Sequence, residues 1–305
     1  MPDGRRRLAL LDDAPARRAG PPGRAGAGLL RLAGGGHPLA FPRQCRDGRR
    51  QRPPDPPNDR GLRLSGPSGD RSVRSLQDVV RVARRFARTG QLRAGFAGSA
   101  SYWEERYQNG GNSGPGSYGR LAEFKAEILN DFIRREAVTS VIEFGCGDGS
   151  QLALLDCGDY LGVDVSVTAV EACRRRFAGD DGKAFCLVAD YASETADMTL
   201  SLDVVYHLVE DAVFDAYMRA LFDAATRFVV VYASNHDAPG PSVHVRHRRF
   251  TDWIAANRPE WTLRDVVANR FPFKDDTAEE SFADFHFFDR AVPGSAPGSV
   301  APDAG

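Results

Sequence analysis

No apolar run in this 305-residue chain approaches the roughly 20 residues that a membrane-crossing helix needs, so no membrane partner is expected. Cysteine is sparse. The five, Cys45, Cys146, Cys157, Cys173 and Cys186, are odd in number and form no C-x-x-C pair, which argues against a disulfide framework and gives no zinc signature. A reducing, cytoplasmic setting is the expectation, with no metal ion. The opening MPDGRRRLALLDD begins like a secretory signal, but Asp12 and Asp13 end its apolar run after four residues, so export is not expected.

Net charge is also nearly absent, at −1, but it is unevenly placed. Met1 to Ser75 has sixteen Arg and seven Asp, no Lys and no Glu, so the remainder is clearly acidic. An acidic body is a poor nucleic-acid binder, and no nucleic-acid partner is expected. Residues 1–72 are dominated by Arg, Pro, Gly and Ala without periodicity, a composition that buries too little apolar area to offset the entropy of ordering. Disorder is expected there. The segment reads either as a basic arm or as translated GC-rich DNA upstream of a natural start near Val73.

What is present centres on VTSVIEFGCGDGSQLALLDCGDYLGVDVS, Val138 to Ser166. Val141, Ile142 and Phe144 read as a buried parallel strand that ends in three alternate glycines, Gly145, Gly147 and Gly149. Glycines so placed let the chain turn sharply and let a ligand lie against main-chain N–H groups. A second strand, Tyr160 to Val163, ends in Asp164, whose carboxylate suits a ribose diol at the carboxyl edge of a parallel sheet. The spacing describes a nucleoside ligand across two strand ends. The dinucleotide pattern G-x-G-x-x-G is the competitor, and its sixth position here is Ser150.

Glu143-Phe-Gly145-Cys-Gly147-Asp-Gly149 followed by Gly162-Val-Asp164 resembles the first motifs of the class I S-adenosyl-L-methionine-dependent methyltransferases. That resemblance implies that Glu143 braces the loop, that Gly145, Cys146, Gly147 and Gly149 face the methionine part, and that Asp164, followed by Val165, takes the ribose hydroxyls. Asp190, with Tyr191 against the ring, would receive the adenine. The W-E-x-R-Y element at Trp103 to Tyr107 is similar to a segment that closes over the cofactor in small-molecule members of the family; a packed helical face is the alternative reading for Trp103, Tyr107 and Tyr118. A short segment between Gly149 and Tyr160 departs from the family and leaves room for only a brief first helix.

The remaining pattern alternates strands and helices, giving an α/β, Rossmann-like, doubly wound sheet. Leu76 to Phe86 has helical spacing, 109–117 reads as a mobile loop, and Leu121 to Arg135 as a helix. Further strands are expected over 184–189, 198–205, 228–232, 261–267 and 282–288, with helices over 166–177, 212–226 and 250–257. The resemblance implies seven strands, mostly parallel, with an antiparallel edge hairpin and an N-terminal helical lid. The domains read as an extension over 1–72, a lid over 73–119, the core over 120–292 and a tail over 293–305.

Methyl transfer from a sulfonium is an in-line displacement, so residues mainly align the partners and exclude water. The family places substrate-facing groups after the fourth strand, which nominates Asp203, Tyr206, His207 and Glu210, with His207 and Asp203 as candidate bases and Tyr206 for substrate. A lone His beside Leu208 and Val209 also reads as a packing residue. HVRHRRF supplies His244, Arg246, His247, Arg248 and Arg249, either an anion grip for the substrate or a solvated basic loop. The expected function is methyl transfer from S-adenosyl-L-methionine to a small molecule such as a sugar, a glycolipid precursor or another natural-product intermediate. The alternatives are a nicotinamide-dependent oxidoreductase and an inactive cofactor-binding partner protein.

Overall fold

The computed structural model describes residues 98–240, 242–274 and 279–291. The arginine-rich extension, the helical pattern over Leu76 to Phe86 and the tail from 293 lie outside them. Helix α1 (Ser99–Gln108) leads through a turn at Pro115–Ser117 into α2 (Gly119–Arg135). Seven strands follow: β1 (Ser140–Phe144), β2 (Asp159–Asp164), β3 (Lys183–Leu187), β4 (Ala196–Leu202), β5 (Ala225–Ala233), β8 (Trp261–Val267) and β9 (Asp284–Arg290). Helices α3 (Val167–Arg176), α4 (Asp211–Asp223) and α5 (Phe250–Asn257) join them, and a two-residue ribbon, β6 (Ala238–Pro239) with β7 (Arg246–His247), stands apart.

The sheet order is β3-β2-β1-β4-β5-β9-β8, with the first five strands parallel and β9 antiparallel to both neighbours. Burial explains that order. Phe285 to Phe288 are buried and seat β9 inside the sheet, whereas Thr262 to Val266 of β8 are exposed and suit the edge. The doubly wound sheet with its antiparallel hairpin is as the sequence implies; the last strand of the chain is interior.

Helix α2 buries Leu121, Phe124, Leu129, Phe132 and Ile133 at helical spacing. Phe132 stacks on Phe287 at 4.8 Å and meets Phe228 edge-on at 5.1 Å, which fixes α2 against the sheet. Tyr217 of α4 donates its hydroxyl to the Phe144 carbonyl at 2.9 Å and lies 2.7 Å from Ser201 Oγ, joining α4 to the ends of β1 and β4. Strand ends differ from the sequence expectation where polar turn residues intervene. Strand β3 gives way to a turn at Val188–Asp190, and β4 stops at Leu202, leaving Asp203 beyond it. The short segment after Gly149 holds only a single turn, Leu152–Leu154. No helix among the described residues is long and apolar enough to cross a membrane.

Candidate active site

Because β1 is flanked by β2 on one side and β4 on the other, the connections diverge at the carboxyl ends of β1 and β4 and leave a crevice there. The glycine loop begins at that point. Gly145, Gly147 and Gly149 take φ of +84°, +57° and +73°, a region that favours glycine. A Cβ on Gly145 would lie 2.5 Å from Val204 Cγ2, and one on Gly147 would lie 2.3 Å from Ser113 Oγ. Gly147 N donates to Asp164 Oδ2 and Ser166 N to Asp164 Oδ1, each at 2.9 Å, so Asp164 pins the loop to the end of β2. Burial raises the Asp164 carboxyl above its ordinary range, against the backbone N–H groups that pull it down. Glu143 lies buried in β1 and accepts the Tyr160 hydroxyl at 2.6 Å; burial pushes its carboxyl up to about 7.

Around this loop, Val165 is 42% exposed next to Asp164, and Ser166 caps α3 by accepting Ala169 N at 3.1 Å. Asp190 ends the turn after β3, while Tyr191 is buried edge-on against Phe144 at 5.3 Å with its hydroxyl on the Glu194 carbonyl. The Cys146 thiol turns inward toward Gly162, so this residue offers the crevice its main chain rather than its sulfur.

Helix α1 and the loop after it cover the crevice. Ser99 Oγ lies 2.6 Å from Glu210 Oε2 and 2.7 Å from the His207 carbonyl, with its one proton for either, and Thr168 Oγ1 donates to Glu104 Oε1 at 2.9 Å. The loop, expected to be mobile, is clasped to Asp148: Ser113 N donates to Asp148 Oδ2 at 3.1 Å, Asp148 N donates to Ser113 Oγ at 3.0 Å, and Tyr118 donates its hydroxyl to the same carboxylate. Burial works to raise the Asp148 carboxyl, but the hydrogen bonds from Tyr118, Ser150 and Ser113 hold it below its ordinary value. Trp103 packs on Tyr107 at 6.0 Å and edge-on to His207 at 4.9 Å, touching the cover over the glycine loop on one side and the turn after β4 on the other.

That turn holds the candidate acceptor-side groups. Asp203, at φ +60°, has both carboxylate oxygens engaged, Oδ2 by Lys125 Nζ and Oδ1 by the Tyr206 hydroxyl, each at 2.7 Å. His207 Nδ1 lies 3.1 Å from the His244 carbonyl, a contact that requires an Nδ1–H donor and leaves the Nε2 lone pair as acceptor. Removal of its ring from water lowers the His207 pKa to about 4, against the hydrogen bond to the His244 carbonyl and with the His244 ring and Arg106 adding to the effect. His244 stacks on Tyr102 at 4.3 Å and on His207 at 5.4 Å.

The basic run is tied to neighbouring groups, with Arg248 and His247 buried. Arg246 and Arg248 meet Asp211 Oδ1 at 3.0 Å and 2.6 Å, Arg248 also donates to the Leu208 and Val209 carbonyls, and Arg249 pairs with Asp252. His247 is buried on Ser234 Oγ at 2.7 Å. Among the described residues no group of three or more His, Cys, Asp or Glu could hold a metal ion. Sequence reasoning passed over Lys125, Ser99, Glu104, Ser113 and Asp148. Lysine on the apolar stripe of α2 was the one visible sign.

Residues 142–227 match the family described as methyltransferase domain, a span that holds the glycine loop, Asp164 and the turn after β4. That stretch of the chain is similar to a methyltransferase domain. Solved methyltransferases are similar to it: magnesium protoporphyrin IX methyltransferase of Synechocystis PCC 6803 with bound SAH is 15% identical, over 63% of this chain and 98% of that one, at a TM-score of 0.48. The N-methyltransferase NodS of Bradyrhizobium japonicum WM9, also with S-adenosyl-L-homocysteine, is 16% identical over 56% and 87%, at 0.44. A methyltransferase of Clostridium acetobutylicum ATCC 824 is 11% identical over 55% and 91%, at 0.41. No curated protein matches the sequence.

Proposed function

We propose that this protein is a methyltransferase that uses S-adenosyl-L-methionine to methylate a small-molecule acceptor, with His207 as the proton acceptor. The observation that carries the reading is Trp103, which packs on Tyr107 over the glycine loop and on His207 of the turn after β4. The cofactor supplies an electrophilic methyl group on a sulfonium centre. The residues bind, align and exclude water. The Asp164 oxygens accept the N–H groups of Gly147 and Ser166 and retain capacity for a ribose hydroxyl. Asp190, Tyr191 and Val165 take the adenine side, and the main chain of Gly145 to Gly149 takes the methionine part. Free Cys146, Cys157, Cys173 and Cys186 support a reducing, cytoplasmic setting.

On the acceptor side, the fixed Nδ1–H tautomer presents His207 Nε2 as the base, and the low pKa keeps it unprotonated at neutral pH. Asp203 orients rather than accepts a proton, because both of its oxygens are engaged. Among the expected acceptor contacts, His244 in its stack with Tyr102 and His207 is favoured over Arg246 and His247, which hold Asp211 and Ser234. A sugar, a glycolipid precursor or another natural-product intermediate remains the proposed acceptor class, and the acidic body favours it over a nucleic acid.

Titration calorimetry with S-adenosylhomocysteine, NADH and the Asp164→Ala variant tests the cofactor. The nucleoside thioether should bind, NADH should not, and the variant should lose about 100-fold in affinity or more, roughly 3 kcal/mol. Absence of binding, or preference for NADH, would overturn the reading.

A further inference from the structure

Lys125 is one of three lysines in a chain with 40 basic residues, and it stands on the buried stripe of α2 with its side chain 1% exposed. An ammonium so enclosed needs a partner of opposite charge. Its Nζ donates to Asp203 Oδ2 at 2.7 Å and lies 5.3 Å from the centre of the Tyr232 ring. Asp203 is held from three further sides. Its other oxygen accepts the Tyr206 hydroxyl, its N–H donates to the Tyr232 carbonyl at 2.9 Å, and a Cβ on Gly116 of the lid loop would lie only 2.6 Å from Oδ2. The left-handed backbone at Asp203 persists because these contacts fix it. Immediately beyond, Val204 packs on Gly145 and accepts His207 N at 2.8 Å, opening the turn Val205–His207.

We infer that Lys125 is a positioning residue: by gripping Asp203 it fixes the start of the turn after β4, and so holds His207 at a set place between Trp103 of the lid and His244. Its importance for turnover rests on His207 being the base proposed above; the placement of His207 does not. A compact ammonium suits the task, since it meets one carboxylate oxygen end-on, where the planar guanidinium used elsewhere in this chain offers a wider group.

The charged and titratable neighbours of His207 are Arg106 from α1, His244 from the segment before β7, and Asp203 with Tyr206 from its own turn. Arg106 and the His244 ring disfavour the imidazolium, while the His244 carbonyl and Asp203 favour it. Loosening the turn returns the ring toward water and frees Asp203 from its cation, and both changes raise the histidine pKa.

The test is NMR of the full chain with nitrogen-15-labelled histidine, in the wild type, Lys125→Met and Lys125→Arg, with S-adenosylhomocysteine binding measured alongside. Wild-type His207 should titrate at about 4 in the Nδ1–H tautomer. In Lys125→Met it should move toward the ordinary 6.5 by about one unit or more and populate both tautomers, with binding of the nucleoside thioether within about threefold. Lys125→Arg should restore part of the shift. An unchanged titration and tautomer in folded Lys125→Met, or an ordinary pKa in the wild type, would overturn the inference. Lys125→Gln gives the same readout should the methionine variant not fold. Failure of the wild type to bind the thioether would sink the cofactor reading while leaving this titration intact.

Discussion

The cofactor side and the acceptor side of this molecule are built by different means. Around β1 and β2 the parts are backbone: three left-handed glycines and N–H groups that meet one carboxylate 17 or 2 residues away in sequence. Around the turn after β4 the parts are side chains joined over long distances, with Lys125 on Asp203 across 78 residues and Ser99 on Glu210 across 111. A site made from adjacent backbone is formed as soon as its strand and turn are formed. One made from distant side chains exists only once lid, helix and sheet have come together.

Four variants test that difference. The largest effect is expected from Gly145→Ala, which meets both an unfavourable φ and the Val204 side chain. Calorimetry should show S-adenosylhomocysteine binding weakened by about 100-fold or more; near-normal affinity would mean that the backbone of the loop is not what binds. Glu143→Gln comes next. The wild-type carboxyl titrates at about 7 when folded and near 4.5 when unfolded, so the folded state holds its proton longer and wild-type stability falls as pH rises through that window. Glutamine does not ionise, and thermal melts should show the variant gaining on the wild type by up to about 3 kcal/mol between the two ends of the window. A gap independent of pH would remove the assignment.

On the acceptor side, Tyr206→Phe deletes the donor to Asp203 Oδ1. Urea denaturation should register a loss of about 1.5 kcal/mol, the scale of a hydrogen bond to a charged group, with S-adenosylhomocysteine affinity little changed. If affinity fell in parallel, the two sides would not be separable. The smallest effect is expected from Tyr118→Phe, at a position 38% exposed. Stopped-flow measurement should show the thioether leaving about fivefold faster, with stability within about 0.5 kcal/mol of wild type; an unchanged off-rate would deny the clasp a part in ligand retention.

The same contrast governs what could be read from the sequence. Strands β1 and β2, the glycine loop, Asp164 and the Ser166 cap were legible because each is a local pattern with a local cause. The seven-stranded sheet followed from strand and helix alternation together with the family resemblance. Ends of β3 and β4 were misplaced because Asp190 and Asp203 look like strand-end residues but sit in turns. The ribbon β6 with β7 was missed, as two residues including a proline give no strand signal. The arginines at 246 and 248 read as free to grip an anion, since nothing in the sequence pairs them with Asp211, 35 and 37 residues earlier. Asp148 was silent for the same reason, and Lys125 showed only as a lysine on an apolar stripe.

The clasp at Asp148 has a consequence for time as well as shape. Ser113 already receives the Asp148 N–H, and its own N–H is already given to the carboxylate, so the rim of the crevice holds saturated donors rather than bare ones. A ligand arriving there trades partners with the lid instead of filling a vacancy, and gains little until the loop has let go. Admission is therefore slower than collision, and so is discharge. The expected rate of ligand exchange is therefore set by how often residues 113–118 release Asp148, a rate that belongs to the cover and not to the chemistry beneath it.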